Sequence, residues 1–233
     1  VNNLAVEYRD EGKGPAMLFL HGWKADLHTF DAITSFLTPL VRVVRMDLPG
    51  FGGSETPKGP WGIGEYADFV SHFCNKLEIH PETLVGHSFG GRVIIKGVSN
   101  GALMPKKVIL IGSAGLSRFS LRNILFRVVA VAGKVALFVF PASVKDWFRR
   151  KLYQQAGSDY VNAGAMKETF LRAVGEDLSQ NAKKIEVPTL LIWGENDAAT
   201  PLSDGKRLNQ LIVGSRLDVI AEAGHFVHQE KPE

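Results

Sequence analysis

A single cysteine, Cys74, stands in 233 residues, so no disulfide can form within the chain. That excludes a small scaffold stapled by disulfides and fits a reducing, cytoplasmic compartment. Cys74 lies in an apolar-periodic run, Tyr66 to Leu77, and reads as a small buried hydrophobe rather than a nucleophile. Charge of one sign is scarce as well. The net charge is +3, too little to point to nucleic acid as a partner. No stretch has the uncharged apolar length of a membrane span. The nearest, Leu121 to Phe140, carries Arg122, Arg127 and Lys134 and runs into Pro141. No cluster of His, Cys, Asp or Glu has metal-ligand spacing, so the residues imply neither a metal nor another cofactor. Repeats and low-complexity tracts are missing. The polar start Val1-Asn2-Asn3 does not read as a signal peptide. The sequence stops at Glu233 as a helix begins after His225, so a closing helix is expected beyond it.

What is present suits one sizeable α/β domain, with 45% hydrophobic and 22% charged residues. Leu4 to Tyr8 alternates like an edge strand, and Gly12 to Pro15 is a turn without the ending of a phosphate loop. Ala16–Leu20, Val41–Met46, Thr83–Val85 and Lys107–Ile111 are continuous apolar strands, as in a parallel sheet covered on both faces. Between them, Leu27–Leu37, Trp61–Leu77 and Arg92–Asn100 read as helices. Asp47 to Ser54 is a glycine-rich loop whose spacing does not fit a dinucleotide site. After a long strandless stretch the rhythm resumes with strand Thr189–Trp193, helix Ser203–Leu211 and strand Arg216–Ile220. The expected fold is a mostly parallel sheet with helices on both faces. Residues 1–115 and 186–233 would form its core, with a helical cap inserted at 116–185.

The insertion is basic, +5 over Leu116 to Gln180 against −2 elsewhere, and its run Leu121 to Phe140 carries a helical apolar stripe. A packed lid helix accounts for that stripe. Lys145 to Lys151 mixes cations with aromatics, a composition an anionic membrane surface accepts. A solvated amphipathic helix face explains it more simply, so peripheral membrane contact is not favoured.

The chemistry centres on Gly86-His87-Ser88-Phe89-Gly90-Gly91, between a strand and a helix. Small neighbours at that spacing let strand and helix nearly touch, force the serine into a rare backbone conformation and display its hydroxyl. A serine needs a base, and the base needs an acid. Among seven histidines, His225 alone follows the last strand at the right end of the sheet, with His228 as fallback. His87 should diverge from the hydroxyl. Asp197 follows the Thr189 strand, with Glu195 beside it as rival, and no acid directly follows the Lys107 strand. The order Ser88, Asp197, His225 is that of α/β-hydrolases. The backbone N–H groups of Trp23 and Phe89 would serve a developing oxyanion. Substrate contacts are expected from His21, Gly22, Phe126, Leu137, Phe138 and Trp147.

These motifs resemble the α/β-hydrolase superfamily, in its single-domain form with a helical cap. The resemblance rests on Phe19-Leu20-His21-Gly22-Trp23, Asp47 to Ser54, Gly86 to Gly91, Gly194-Glu195-Asn196-Asp197 and Gly224-His225. It implies Ser88 as nucleophile, Asp197 as acid, His225 as base, and Trp23 and Phe89 as oxyanion donors beneath a cap. Dehalogenases and epoxide hydrolases resemble the pattern but carry a carboxylate where Ser88 stands. The serine version spans esterases, lipases, thioesterases and carbon–carbon bond hydrolases. A small carboxylic ester of short- to medium-chain or aromatic acid is the expected substrate. A thioester, a carbon–carbon bond, or a non-catalytic ligand-binding role are the alternatives.

Overall fold

The computed structural model describes residues 1–116 and 164–233. Phe126, Leu137, Phe138 and Trp147 lie outside those residues. Seven strands form one sheet: β1 (Tyr8–Glu11), β2 (Ala16–Leu20), β3 (Arg42–Met46), β4 (Thr83–His87), β5 (Lys107–Ile111), β6 (Thr189–Gly194) and β7 (Arg216–Ile220). Their order is β1-β3-β2-β4-β5-β6-β7, antiparallel at β1 and β3 and parallel elsewhere. The first strand falls four residues later than its alternation suggests. Ala5 and Glu7 are bonded instead to the Asp47–Glu55 loop, through Glu55 N–H to the Ala5 carbonyl and Asp47 N–H to the Glu7 carbonyl. Val1, Leu4 and Val6 still pack on the core, which is what made that stretch read as a strand.

Helices cover both faces. A 3-10 turn at Leu27–Phe30 leads into α1 (Asp31–Leu37); α2 is Ile63–Lys76 and α3 is Phe89–Ser99. They are followed by α4 (Lys167–Gly175), α5 (Ser179–Ala182), α6 (Leu202–Leu211) and a last short turn, α7 (Val227–Glu230). Strand alternation divides the core in two. Leu18, Leu20, Val44, Met46, Leu84 and Leu110 face α2 and α3. Their neighbours Phe19, Val43, Val85 and Ile111 face Phe30 and Val227. In α2, Ile63, Tyr66, Ala67, Val70, Phe73 and Cys74 recur at helical spacing and are all buried. Burial drives the Cys74 thiol up to about 12, as befits a small hydrophobe. On the other face Arg45, 3% exposed, ties Glu11 of β1 to Asp31 of α1. No helix of the described residues is long and apolar enough to cross a membrane.

The start of α3 lies hard against the ends of β2 and β4. The helix begins at Phe89, three residues earlier than expected, because Gly90 and Gly91 mask its periodicity. A Cβ at Gly90 would lie 2.0 Å from the Leu20 carbonyl oxygen, and one at Gly86 2.7 Å from the Gly91 nitrogen. Gly59, by contrast, has nothing within 4 Å of such an atom. Gly90→Ala should therefore destabilise by about 3 kcal/mol, read as a fall in Tm of roughly 10 °C by calorimetry. Gly59→Ala should stay within about 0.5 kcal/mol of the parent. Equal Tm values for the two variants would show that close approach is not what demands glycine at position 90.

Candidate active site

The chain winds outward in both directions from β2, which lies between β3 and β4. Ligands in open α/β sheets bind beyond the carboxyl ends of the strands at such a reversal. Here the loops after β2, β4, β5, β6 and β7 surround a cavity of about 820 Å³. Ser88 stands at its floor with φ 49° and ψ −107°, a conformation strained for a residue with a side chain. Ser88 N–H donates to the Ile111 carbonyl (3.0 Å) and Ala114 N–H donates to the Ser88 carbonyl (3.1 Å). The strain is thus held by β5 on one side and by the glycine crossing on the other.

Asp197 and His225 are bonded to each other, and His225 lines the same cavity. His225 Nδ1–H donates to Asp197 Oδ2 at 2.8 Å, and the Asp197 side chain is fully buried. A carboxylate can only accept here, so the imidazole carries a proton on Nδ1, and Nε2 is its other ring nitrogen. Asp197 Oδ1 accepts the N–H groups of Ala199 (2.9 Å) and Thr200 (2.8 Å). Burial acts to raise the Asp197 pKa, but the bonds from His225 and Thr200 outweigh it and hold the carboxyl below its usual range. The Thr200 hydroxyl lies 2.8 Å from Asp197 Oδ2 and 2.9 Å from the Gly112 carbonyl. Gly112, at φ +47°, sits directly under the pair, where a Cβ would be 3.1 Å from Asp197 Oδ2 and 3.2 Å from His225 Nδ1. Glu195, the alternative acid, is exposed and accepts the Glu222 N–H instead. His228, the alternative base, is buried against Phe30 and lies 3.2 Å from the Thr29 hydroxyl.

The loop after β2 reaches Ser88 from the other side. A Cβ on Gly22 would come within 3.3 Å of Ser88 Cβ and 2.8 Å of the His87 ring. Trp23 follows it on the cavity wall, its indole against Phe51, Phe89 and Phe170. Phe89 opens α3, so its N–H is one of those a helix leaves without an internal partner. His21 was expected to touch substrate. It is fully buried and outside the cavity wall. Its Nε2 accepts the Leu48 N–H (2.9 Å) and its Nδ1–H donates to the Gly22 carbonyl (2.7 Å). Burial depresses its pKa, so it is a neutral tie between the loops after β2 and β3. The carboxylate of Asp47 works alongside it, accepting the N–H groups of Leu27 (2.6 Å) and Gly53 (2.8 Å).

Sequence reasoning missed the company His225 keeps. His87 points to the α1 face, as strand alternation requires, but the loop carrying His225 crosses that face. The His87 ring lies 4.7 Å from His225 and 4.5 Å from His228, centroid to centroid. His87 Nε2–H donates to the His225 carbonyl at 3.0 Å, fixing the backbone of that residue. Thr200 and Gly112 carried no signal beyond standing next to strands. Burial, reinforced by neighbouring histidines, drives the His87 pKa well below normal and that of His228 to about 4.

Both buried histidines are therefore neutral in the fold, whereas a histidine in the unfolded chain titrates near 6.5. Below that pH the unfolded chain takes up protons that the folded chain refuses, so stability falls as pH drops towards 4. Chemical denaturation at pH 7 and pH 5 measures this loss. His228→Asn should reduce it by about 2 kcal/mol. An undiminished loss would mean that His228 is already protonated in the native state.

A model of the alpha/beta hydrolase family matches residues 17–233. The chain is 26% identical over 249 residues to an uncharacterized hydrolase, YugF, of Bacillus subtilis, spanning 100% of this chain and 91% of that protein. It is 30% identical over 250 residues to the monoacylglycerol lipase ABHD6 of Bos taurus, spanning 95% and 73%. A crystal structure of a membrane phospholipase A, described as a bacterial virulence factor, superposes with a TM-score of 0.78 at 27% identity, covering 100% of this chain and 80% of that one. Sheet order, the Ser88 turn and a family match over almost its whole length agree: this chain belongs to the α/β-hydrolase family.

Proposed function

We propose that this hydrolase cleaves carboxylic esters through an acyl-enzyme on Ser88. The observation that carries the reading is the 2.8 Å bond from His225 to the buried Asp197, facing the cavity that Ser88 lines. Ser88 Oγ attacks the ester carbonyl carbon as His225 Nε2 takes its proton. The imidazolium so formed is stabilised by Asp197. The carbonyl oxygen becomes an oxyanion between the N–H groups of Trp23 and Phe89. The carbon–oxygen bond then breaks, and the alcohol leaves with the proton from Nε2. Water repeats the sequence on the acyl-enzyme and releases the acid.

The apolar wall of Trp23, Phe89, Phe170 and Val174 suits an acyl chain of short to medium length or an aromatic acid. Two of the similar proteins carry names, monoacylglycerol lipase and phospholipase A, that speak of lipid esters. The span 116–185 is the proposed cap over this cavity, to which α4 contributes Phe170 and Val174. A single buried cysteine is in keeping with a cytoplasmic setting.

A fluorophosphonate probe should label the protein, and Ser88→Ala should abolish labelling. Failure of the folded parent to label would favour a ligand-binding role instead. On p-nitrophenyl esters of increasing chain length, Asp197→Asn should lower kcat by about 10³- to 10⁴-fold with KM little changed. Glu195→Gln should stay within about twofold of the parent, as expected for a residue away from the chemistry. If the two variants exchange these behaviours, Glu195 is the acid.

A further inference from the structure

Besides Lys24 and Asp26 in the loop after β2, the cavity wall carries one more charged side chain with no part in the ester chemistry, Arg92. Arg92 lies in the first turn of α3, four residues after Ser88, and is only 6% exposed, yet it lines the cavity. Both residues line the same cavity. One guanidinium nitrogen, Nη2, donates to the backbone carbonyl of Glu176, just past the end of α4. Nε is buried and has no hydrogen-bond partner among the described residues.

The carboxylates near Arg92 have other partners. Glu176 forms its ion pair with Lys96, Oε1 to Nζ 2.7 Å. Asp177 accepts the backbone N–H (2.8 Å) and hydroxyl (2.5 Å) of Ser179. Among the described residues Arg92 forms no ion pair. Burial lowers its pKa to about 10, against the opposing pull of Glu176 and Asp177, so it remains a cation at neutral pH. The acidic residue of the wall, Asp26, accepts the His28 N–H (2.9 Å) and caps the turn before α1. A buried cation that keeps an unused donor is expensive unless an anion completes it. A guanidinium presents its donors in a planar fork that matches a carboxylate or phosphate.

We propose that Arg92 is a specificity-determining residue of this cavity, holding an anionic group, carboxylate or phosphate, at the far end of the acyl arm of the ester. The proposal rests on the reading of Ser88 as nucleophile. It narrows the substrate class from apolar esters to half-esters of diacids or their phosphorylated counterparts. The apolar wall then takes the methylene chain between the two ends.

Three p-nitrophenyl esters of matched length test it: hexanoate, which is neutral; the adipate half-ester, which ends in a carboxylate; and the 5-phosphonopentanoate ester, which ends in a phosphonate. For the parent enzyme, kcat/KM for at least one anionic ester should exceed that for hexanoate by about tenfold or more. The better of the two identifies the anion. In Arg92→Met the ratio should collapse towards one, and Arg92→Lys should recover part of it. A merely structural Arg92, tying α3 to the end of α4, would lower Tm and leave the ratio unmoved. That result overturns the proposal, as does a parent enzyme that hydrolyses hexanoate at least as well as both anionic esters. The second outcome needs no variant and holds even if Arg92→Met fails to fold. Should no ester turn over, the ester reading fails and the anion site is judged separately. Calorimetric titration of Ser88→Ala with monomethyl adipate against methyl hexanoate then decides, and equal or absent binding overturns the site.

Discussion

Everything at this site depends on how closely one helix approaches one strand. The first turn of α3 rests on the end of β2 with no room for a methyl group at Gly90, and β4 runs under the same turn with none at Gly86. That contact bends the chain at Ser88 into a backbone conformation it would not adopt unaided. It also brings the loop after β2 to within van der Waals distance of the serine. A hydroxyl, a helix N-terminus and a second loop with backbone donors are thus delivered together by packing alone.

The second half of the site is electrostatic. Asp197 is taken out of water and stays an anion because two backbone N–H groups, a threonine hydroxyl and an imidazole surround it. His225 is fixed from two sides, by Asp197 at its ring and by His87 at its carbonyl. Its loop is further tied by Gly224 N–H, which donates to Glu230 of α7 at 2.7 Å. The neutral histidines His21 and His87 serve as hydrogen-bonding spacers, a use for which burial, by keeping them uncharged, is a precondition.

Much of this was legible in the sequence because a parallel sheet leaves few options. Once apolar runs mark the strands, the loops at one end are known, and Ser88, Asp197 and His225 stand in those loops, where the structure bonds His225 to Asp197. Element boundaries were legible to within a residue or two where apolar periodicity was strong, as at Lys107–Ile111 and Arg216–Ile220. They shifted where backbone bonding or glycine decided, as at Tyr8–Glu11 and Phe89. The burial of His21 was not legible, because a polar residue after a strand can equally serve a loop or a ligand. Thr200, Gly112, His87 and Arg92 were not legible. Their roles come from contacts between segments far apart in the chain, and their types carry no periodic mark.

The span between the two halves of the site has a consequence for how the molecule comes into being. The bond from His87 to His225 joins residues 138 positions apart. A chain made from its N-terminus completes β1 to β5 and the Ser88 turn well before β6 and β7 exist to flank them. During that interval the edge of β5 is open, and the acid and base of the proposed mechanism have yet to be made. The pairing of β5 with β6 closes that exposed edge, and in the proposed mechanism the serine gains its acid and base only once β6 and β7 are both in place. The bonded pair of Asp197 and His225 is acquired last, as a property of the finished sheet.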